Sequence, residues 1–250
     1  MVLRSSTFPR LSEHPRVPTA RSENRINSKE MPSPHPPLPR RIVLKIKRIV
    51  REMNPAERTW AHAWPLIDSV PGLLYGMEER WLFDAAWSLP RSANMVEVGS
   101  FKGRSTCCLA FGCTGTNKHV YAVDTFDGNS WDFAERGFLE DFRQNVSRCG
   151  LSRYVTPLVG SSNEVGKEWN KPIDLLFIDG SHRYEDVLSD FYAFFPHVAE
   201  GGIVAFHDVS EHWPEVLKAW HEVIKGQLSE VGYFNFIGFG RKPGAKRNSR

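Results

Sequence analysis

The sequence has no long apolar run and no C-x-x-C cysteine motif. No stretch of its 250 residues approaches the roughly 18 consecutive apolar residues that a bilayer-spanning helix requires. The N-terminus carries charges and prolines where a secretory signal would be apolar. The four cysteines form no C-x-x-C pair, which disfavours a disulfide or zinc framework. We therefore expect a cytoplasmic protein with no membrane span and with reduced thiols.

Basic residues are scarce in the middle of the chain. Residues 52–240 hold 15 Lys and Arg against 26 Asp and Glu, so the net charge of +3 comes from the two ends. An acidic body does not suit the phosphate backbone of a duplex. We expect no nucleic-acid partner, while contact of a basic tail with an acidic partner or a membrane surface is left open.

The two ends of the chain are expected to lie outside the folded domain. Residues 1–40 contain eight of the 17 prolines and few large apolar groups, which is typical of disorder; a transit peptide or a true start at Met31 is the alternative. Residues 41–74 are expected to form a helical arm and an access loop. The arm contains RRIVLKIKRIVREM, a basic amphipathic helix that packs on its own domain or on a membrane surface. Residues 243–250 form a basic tail.

From Glu78 onward, apolar strand-like runs alternate with segments of helical period. The runs are MVEVG, HVYAVDTF, YVTPLVGSS, PIDLLFIDG and GGIVAFHDV, and VGYFNFIGFGRK is expected to close the sheet. Strands that are apolar on both faces and separated by helices predict an α/β fold over residues 75–242, with a doubly wound, mostly parallel sheet. Ligands bind at the carboxyl ends of such strands. These ends are Gly99, Asp124, Gly160, Asp179 and Asp208.

The turn after the first strand lacks the glycine spacing of a phosphate-binding loop. Its pattern is E-x-G-x-x-x-G-x-S, formed by Glu97, Gly99, Gly103 and Ser105. A carboxylate before the turn would repel a pyrophosphate but suits a ligand with an ammonium or sulfonium group. Backbone N–H groups and the Ser105 hydroxyl can bind a carboxylate, and Asp124 suits a ribose diol. S-adenosylmethionine combines these groups; the alternative is that the two glycines only allow a tight turn.

Four segments carry a resemblance to a known family: VEVGSFKGRST, VYAVDTFDG, DLLFIDGSHRYEDVLSDF and GGIVAFHDV. They resemble the successive motifs of the Rossmann-like (class I) S-adenosylmethionine-dependent methyltransferases, over residues 70–242. The most similar branch is that of small O-methyltransferases related to those of cephalosporin biosynthesis and macrolide sugars. The resemblance implies a small-molecule acceptor and S-adenosylmethionine as the cofactor. The implied cofactor-binding residues are Glu97, Gly99, Ser100, Gly103, Ser105, Asp124 and Ser161.

The resemblance also implies a catalytic centre at the ends of the fourth and fifth strands. Catechol-type O-methyltransferases have D-x-x-K where this chain has Asp179 and His182, so Asp179 would bind a cation and His182 would replace the lysine as the base. Asp179, His207 and Asp208 would then hold a divalent cation, Mg2+ or Mn2+. An imidazole ligand favours Mn2+, Fe2+ or Zn2+ over Mg2+, unless His207 is no ligand. The alternatives are a helix-capping role for His207 and Asp208 and backbone bonding for His182.

The predicted function is O-methylation of a small-molecule hydroxyl, with metal assistance as an option. An amine acceptor and a homo-oligomer are left open, and Trp131 is a candidate for the substrate mouth. One alternative is an oxidoreductase that binds NAD(P) or a nucleotide sugar, which would need a phosphate-compatible turn. The other is a cofactor-binding module without catalysis, which the complete set of motif residues disfavours.

Overall fold

A seven-stranded, mostly parallel sheet forms the centre of the protein. The computed structural model describes residues 42, 45, 54–128 and 137–244. The strand order is β3-β2-β1-β4-β5-β7-β6, and of these described strands only β7 runs in the opposite direction, pairing antiparallel with both β5 and β6. The strands are β1 (Asn94–Val98), β2 (His119–Asp124), β3 (Val155–Val159), β4 (Ile173–Ile178), β5 (Val198–Phe206), β6 (Ser229–Phe234) and β7 (Ile237–Arg241). The predicted α/β fold and its closing strands are confirmed.

Seven α-helices of the described residues connect and cover the strands. They are α1 (Pro55–Asp68), α2 (Glu78–Ser88), α3 (Arg104–Phe111), α4 (Leu139–Arg148), α5 (Ser162–Glu168), α6 (Tyr184–Phe194) and α7 (Pro214–Ala219). Helix α1 begins where its sequence favours a start, because Asn54 caps it by accepting from the Glu57 amide at 2.9 Å and Pro55 occupies the first turn. Helix α7 continues into a π-helical turn over Trp220–Ile224.

Two apolar layers cover the two faces of the sheet. Helices α1 to α4 pack on the face that carries Met95, Ala122, Leu175 and Phe177. Helices α6 and α7 pack on the opposite face, which carries Val96, Val123, Leu176 and Val204. Successive strand residues therefore point into different cores, which explains why the strands are apolar at nearly every position.

Several predicted features lie largely or wholly outside the described residues. The tail 1–40 and the residue Trp131 are among them. Of the predicted basic helix, only Ile42 and Lys45 are described, and both are helical and exposed. The predicted domain boundaries stay predictions.

The sheet winds in opposite directions on the two sides of β1. Strands β2 and β3 lie on one side of β1, and β4 and β5 lie on the other. The backbone segments that follow these strands also stay hydrogen-bonded to one another. The Gly99 amide donates to the Val123 carbonyl at 2.9 Å, and the Asp179 amide donates to the Val98 carbonyl at 2.8 Å. Such a switch point is where ligands bind in open α/β sheets.

Candidate active site

A cavity of about 680 Å³ opens at the carboxyl ends of the parallel strands. It brings together most of the predicted site residues from five segments, at the carboxyl ends of strands β1 to β5. Those lining it are Gly99, Ser100, Ser105, Asp124, Ser161, Asp179, His182, His207 and Asp208. Glu97 and Gly103 are not among the lining residues. The size and the mixed lining suit a small-molecule site.

The glycines of the turn after β1 allow close packing of backbone. Gly99 has φ +83°, and a Cβ there would lie 2.1 Å from the Asp179 carbonyl oxygen, so only glycine lets β1 and β4 meet at this point. Gly103 has φ +92° and precedes the first residue of α3. Ser105, in the first turn of α3, faces the cavity.

The Glu97 carboxylate lies behind the turn, not in the cavity. The side chain is fully buried, and its Oε2 accepts from the Ser100 hydroxyl at 2.8 Å and from the Thr106 hydroxyl. Its Oε1 is buried and has no hydrogen-bond partner among the described residues. Burial raises the pKa of Glu97 to about 7, against the opposing effect of the hydroxyl donors. Glu97 thus ties Ser100 of the turn to helix α3.

Asp124 holds the same turn from the cavity side. Its Oδ2 accepts from the amides of Ser100 and Phe101 at 2.7 and 2.9 Å, and its Oδ1 accepts from the Phe126 amide at 2.7 Å. An ionised carboxylate has about four acceptor positions, so three N–H donors leave acceptor capacity for a ligand hydroxyl.

Ser161 lines the cavity and also caps α5. Its hydroxyl and its amide both bond the Glu164 carboxylate, at 2.7 and 3.0 Å, in a capping box. The Ser161 side chain therefore has a structural partner in addition to its place at the cavity.

Three carboxylates surround the imidazole of His207, which is nearly inaccessible to solvent. Its Nδ1 lies 3.0 Å from Asp179 Oδ1 and 3.2 Å from Asp208 Oδ2, and its Nε2 lies 3.0 Å from Glu78 Oε2. One ligand atom of Asp179, one of His207 and one of Asp208 all lie within 4.8 Å of one another. This spacing is compatible with a single bound cation. The predicted grouping of these three residues is therefore present in the structure.

The charges in this cluster shift one another's ionisation. Burial alone would lower the pKa of His207, but Asp179, Asp208 and Glu78 raise it well above its usual value. Burial raises the pKa of the Asp179 carboxyl, against the opposing effect of His207. Burial would also raise the pKa of Asp208, but hydrogen bonds from His182 and His207 hold this pKa well below its usual range. Asp208 is therefore expected to stay ionised beside these two imidazoles.

His182 reaches this cluster through Asp208. Its Nε2 lies 2.9 Å from Asp208 Oδ2, and its ring stacks on the Trp213 indole with centroids 3.7 Å apart. Asp208 has φ +58°, which is uncommon for a residue other than glycine and is found at functional sites more often than elsewhere. The imidazole of His182 is thus oriented by a carboxylate on one edge and an aromatic ring on one face.

Two residues of this site were missed by the sequence reasoning. Glu78 is one of two adjacent acids at the start of a predicted helix, where negative charge suits the helix dipole, so nothing in the pattern paired it with His207, 129 residues away. Trp213 comes directly before Pro214, the first residue of α7, and no sequence periodicity indicates that its ring contacts His182. Both contacts depend on tertiary structure.

The described part of the chain contains no helix long and apolar enough to traverse a bilayer.

Comparison with known proteins identifies the domain. Residues 96–209 match the family model of a methyltransferase domain, Methyltransf_24. Over 88 residues the chain is 36% identical to demethylmacrocin O-methyltransferase of Streptomyces fradiae, a match that covers 33% of this chain and 22% of that protein. The chain spans less than a quarter of the length of the curated relatives it matches.

Two solved structures show the same fold at low identity. The O-methyltransferase NovP is similar with a TM-score of 0.56 and 16% identity, covering 67% of this chain and 80% of that one. The O-methyltransferase TomG from Streptomyces achromogenes, solved in complex with SAM, is similar with a TM-score of 0.53 and 17% identity, covering 82% and 96%. The family match therefore identifies residues 96–209 as a methyltransferase domain, and the two solved structures show that its fold is also found in O-methyltransferases.

Proposed function

We propose that the protein transfers a methyl group from S-adenosylmethionine to a hydroxyl of a small molecule. The observation that carries this proposal is one cavity in which the turn after β1, Asp124 and the cluster of acids and histidines face a common space. The relatives with O-methyltransferase names support the reaction class. The acceptor is expected to enter beside the loop Pro71–Tyr75, which also lines the cavity.

The cofactor is expected to lie across the switch point of the sheet. Its amino acid end would meet the turn at Gly99 and the Ser105 hydroxyl, and its ribose diol would bond the remaining acceptor positions of Asp124. Glu97 would act from behind by holding Ser100 in place. A solved neighbour from Bacillus cereus that contains SAH, and TomG with SAM, support this choice of cofactor.

His182 is proposed to take the proton of the acceptor hydroxyl. Its Nε2 faces the Asp208 carboxylate, which stabilises the imidazolium that forms and fixes the plane of the ring. General-base catalysis of this kind contributes roughly 10²- to 10⁴-fold, whereas aligning the oxygen behind the methyl carbon contributes about 7–11 kcal/mol. Alignment by the cavity walls, including Trp213 against His182, is therefore the larger effect.

The residues around His207 fit a divalent cation. Two carboxylate oxygens and one imidazole nitrogen converge, and the second ring nitrogen of His207 is held by Glu78, as is usual for a ligating histidine. Asp179, Asp208 and Nδ1 of His207 would hold the ion, and this donor set suits Mn2+, Fe2+ or Zn2+ better than Mg2+. When bound, such a cation would bind the acceptor oxygen and lower its pKa.

The test is a calorimetric titration of the purified protein with S-adenosylhomocysteine, with NADH as a parallel ligand. We expect saturable one-to-one binding of S-adenosylhomocysteine and none of NADH. Screening of hydroxylated acceptors with and without Mn2+ would follow. A folded protein that binds NADH but not S-adenosylhomocysteine would overturn the proposal.

A further inference from the structure

Glu78 is a fully buried carboxylate that touches the catalytic cluster from outside the cavity. It belongs to the first turn of α2 and has no accessible surface. Its Oε2 accepts from the Tyr75 amide at 2.8 Å and lies 3.0 Å from His207 Nε2, while its Oε1 accepts from the Phe236 amide at 3.1 Å. A buried charge persists only where such partners compensate its desolvation.

These bonds join three segments that are distant in sequence. Tyr75 ends the loop that lines the acceptor side of the cavity, and Phe236 lies in the turn between β6 and β7. The neighbouring Asn235 side chain donates to the backbone carbonyls of Tyr75 and Gly76, which ties the same loop to the same turn. The loop and His207 therefore share one anchor.

The bond to Glu78 also decides how the His207 ring is presented. Glu78 is an acceptor, so it requires a proton on Nε2 of His207. This places Nδ1 toward Asp179 and Asp208, at 3.0 and 3.2 Å. A carboxylate on the far ring nitrogen is the usual device that fixes the orientation of a functional imidazole.

We propose that Glu78 is a positioning residue that orients His207 in the acceptor site and couples it to the loop that lines this site. That this site receives the acceptor rests on the proposed function, but the orientation of the His207 ring by Glu78 does not. Glu79 provides the comparison, because it is buried on the same helical turn yet accepts from Arg104, at 3.0 and 2.7 Å, and does not contact His207.

The first experiment uses the unmodified protein. The Tyr75 amide proton and the His207 Nε2 proton point at the same oxygen, so a nuclear Overhauser effect between them is expected in the ¹⁵N-labelled, metal-free protein. Absence of a protected Nε2 proton on His207 would overturn the proposal without reference to activity or metal.

The second experiment compares Glu78→Gln with Glu79→Gln. Glutamine is nearly isosteric, but its NH2 group faces an N–H donor whichever way it is turned. We expect Mn2+ affinity, measured by calorimetry, to fall tenfold or more in Glu78→Gln and to stay within twofold in Glu79→Gln. S-adenosylhomocysteine affinity should stay within twofold in Glu78→Gln.

The role of Glu78 and the binding of a metal ion can fail independently of each other. Wild-type Mn2+ affinity together with an unchanged His207 Nε2 resonance in Glu78→Gln would overturn the role of Glu78. If the unmodified protein binds no Mn2+, the metal part of the proposed function fails, and the Nε2 resonance in the unmodified protein and the variant decides the role of Glu78. If Glu78→Gln does not fold, the Overhauser measurement on the unmodified protein decides it.

Discussion

Single buried charges organise this site more than any one motif does. Glu97, Glu78 and His207 are each almost completely removed from solvent, and each is held by partners from other segments. Burying such groups costs free energy unless every partner is in place. The segments that these side chains hold next to the cavity are therefore expected to be rigid, which suits a reaction that depends on alignment.

Replacement of His182 tests its proposed role as the base. We expect His182→Ala to lower kcat about a hundredfold or more on a true acceptor, because the proton of the hydroxyl loses its acceptor. S-adenosylhomocysteine affinity should change little. The matched control is His212→Ala, since His212 is an exposed histidine close to Trp213 that does not line the cavity. Unchanged turnover in His182→Ala would remove this residue from the mechanism.

The raised pKa of Glu97 predicts a pH-dependent effect on stability. Because burial raises the pKa to about 7, the folded state holds this proton at pH values where the unfolded chain, with a pKa of 4.5, has released it. The contribution of Glu97 to the free energy of unfolding therefore falls as pH rises from about 4.5 to about 7, by about 3 kcal/mol in total.

Urea denaturation of the wild type and Glu97→Gln between pH 5 and pH 8 measures this effect. Glutamine has no proton to release, so the stability of the variant relative to the wild type should improve with rising pH. A difference between the two proteins that is constant over this range would contradict the assignment.

The ends of helices α2 and α3 are joined by one buried lysine. Lys118 Nζ donates to the carbonyls of Ala86 and Trp87 at 2.8 Å each and to that of Gly112 at 3.3 Å. These carbonyls lie at helix C-termini, where a cation is favourable. The lysine thus fixes α2, which carries Glu78, against α3, which follows the turn after β1.

Substitution of Lys118 by methionine should destabilise the protein by about 2–4 kcal/mol, because buried carbonyls lose their donor. Chemical denaturation gives this value directly. Lys171→Met serves as the comparison, since Lys171 is an exposed lysine whose Nζ contacts the Tyr121 hydroxyl, and it should cost less than about 1 kcal/mol. Equal losses in the two variants would show that Lys118 has no special role.

The elements were predictable where the sequence pattern is local. The alternation of apolar strands and helices predicted the sheet, and the resemblance to catechol-type O-methyltransferases implied that Asp179 and Asp208 lie together at the ends of β4 and β5. The pattern could not show that Glu97 turns away from the cavity, because this depends on hydroxyl partners in α3. Nor could it pair Glu78 with His207, since no periodicity links positions so far apart.

Across the whole molecule, cofactor binding and folding should be coupled. The proposed cofactor site is built from the ends of β1, β2 and β4, which unfolding separates, so the ligand binds the folded state alone. At a concentration of S-adenosylhomocysteine one hundred times its Kd, we expect the free energy of unfolding to rise by about 2.7 kcal/mol. Thermal denaturation with and without the ligand measures this gain.

Thermal denaturation of variants tests whether this gain in the free energy of unfolding comes from ligand bound in the cavity. Asp124→Asn weakens the proposed ribose acceptor, so at the same ligand concentration its gain should be smaller than that of the wild type. Asp127→Asn, at an exposed position three residues later, should keep the full gain. Because each gain is measured against the same variant without ligand, any loss of intrinsic stability cancels. Equal gains in all three proteins would place S-adenosylhomocysteine away from Asp124.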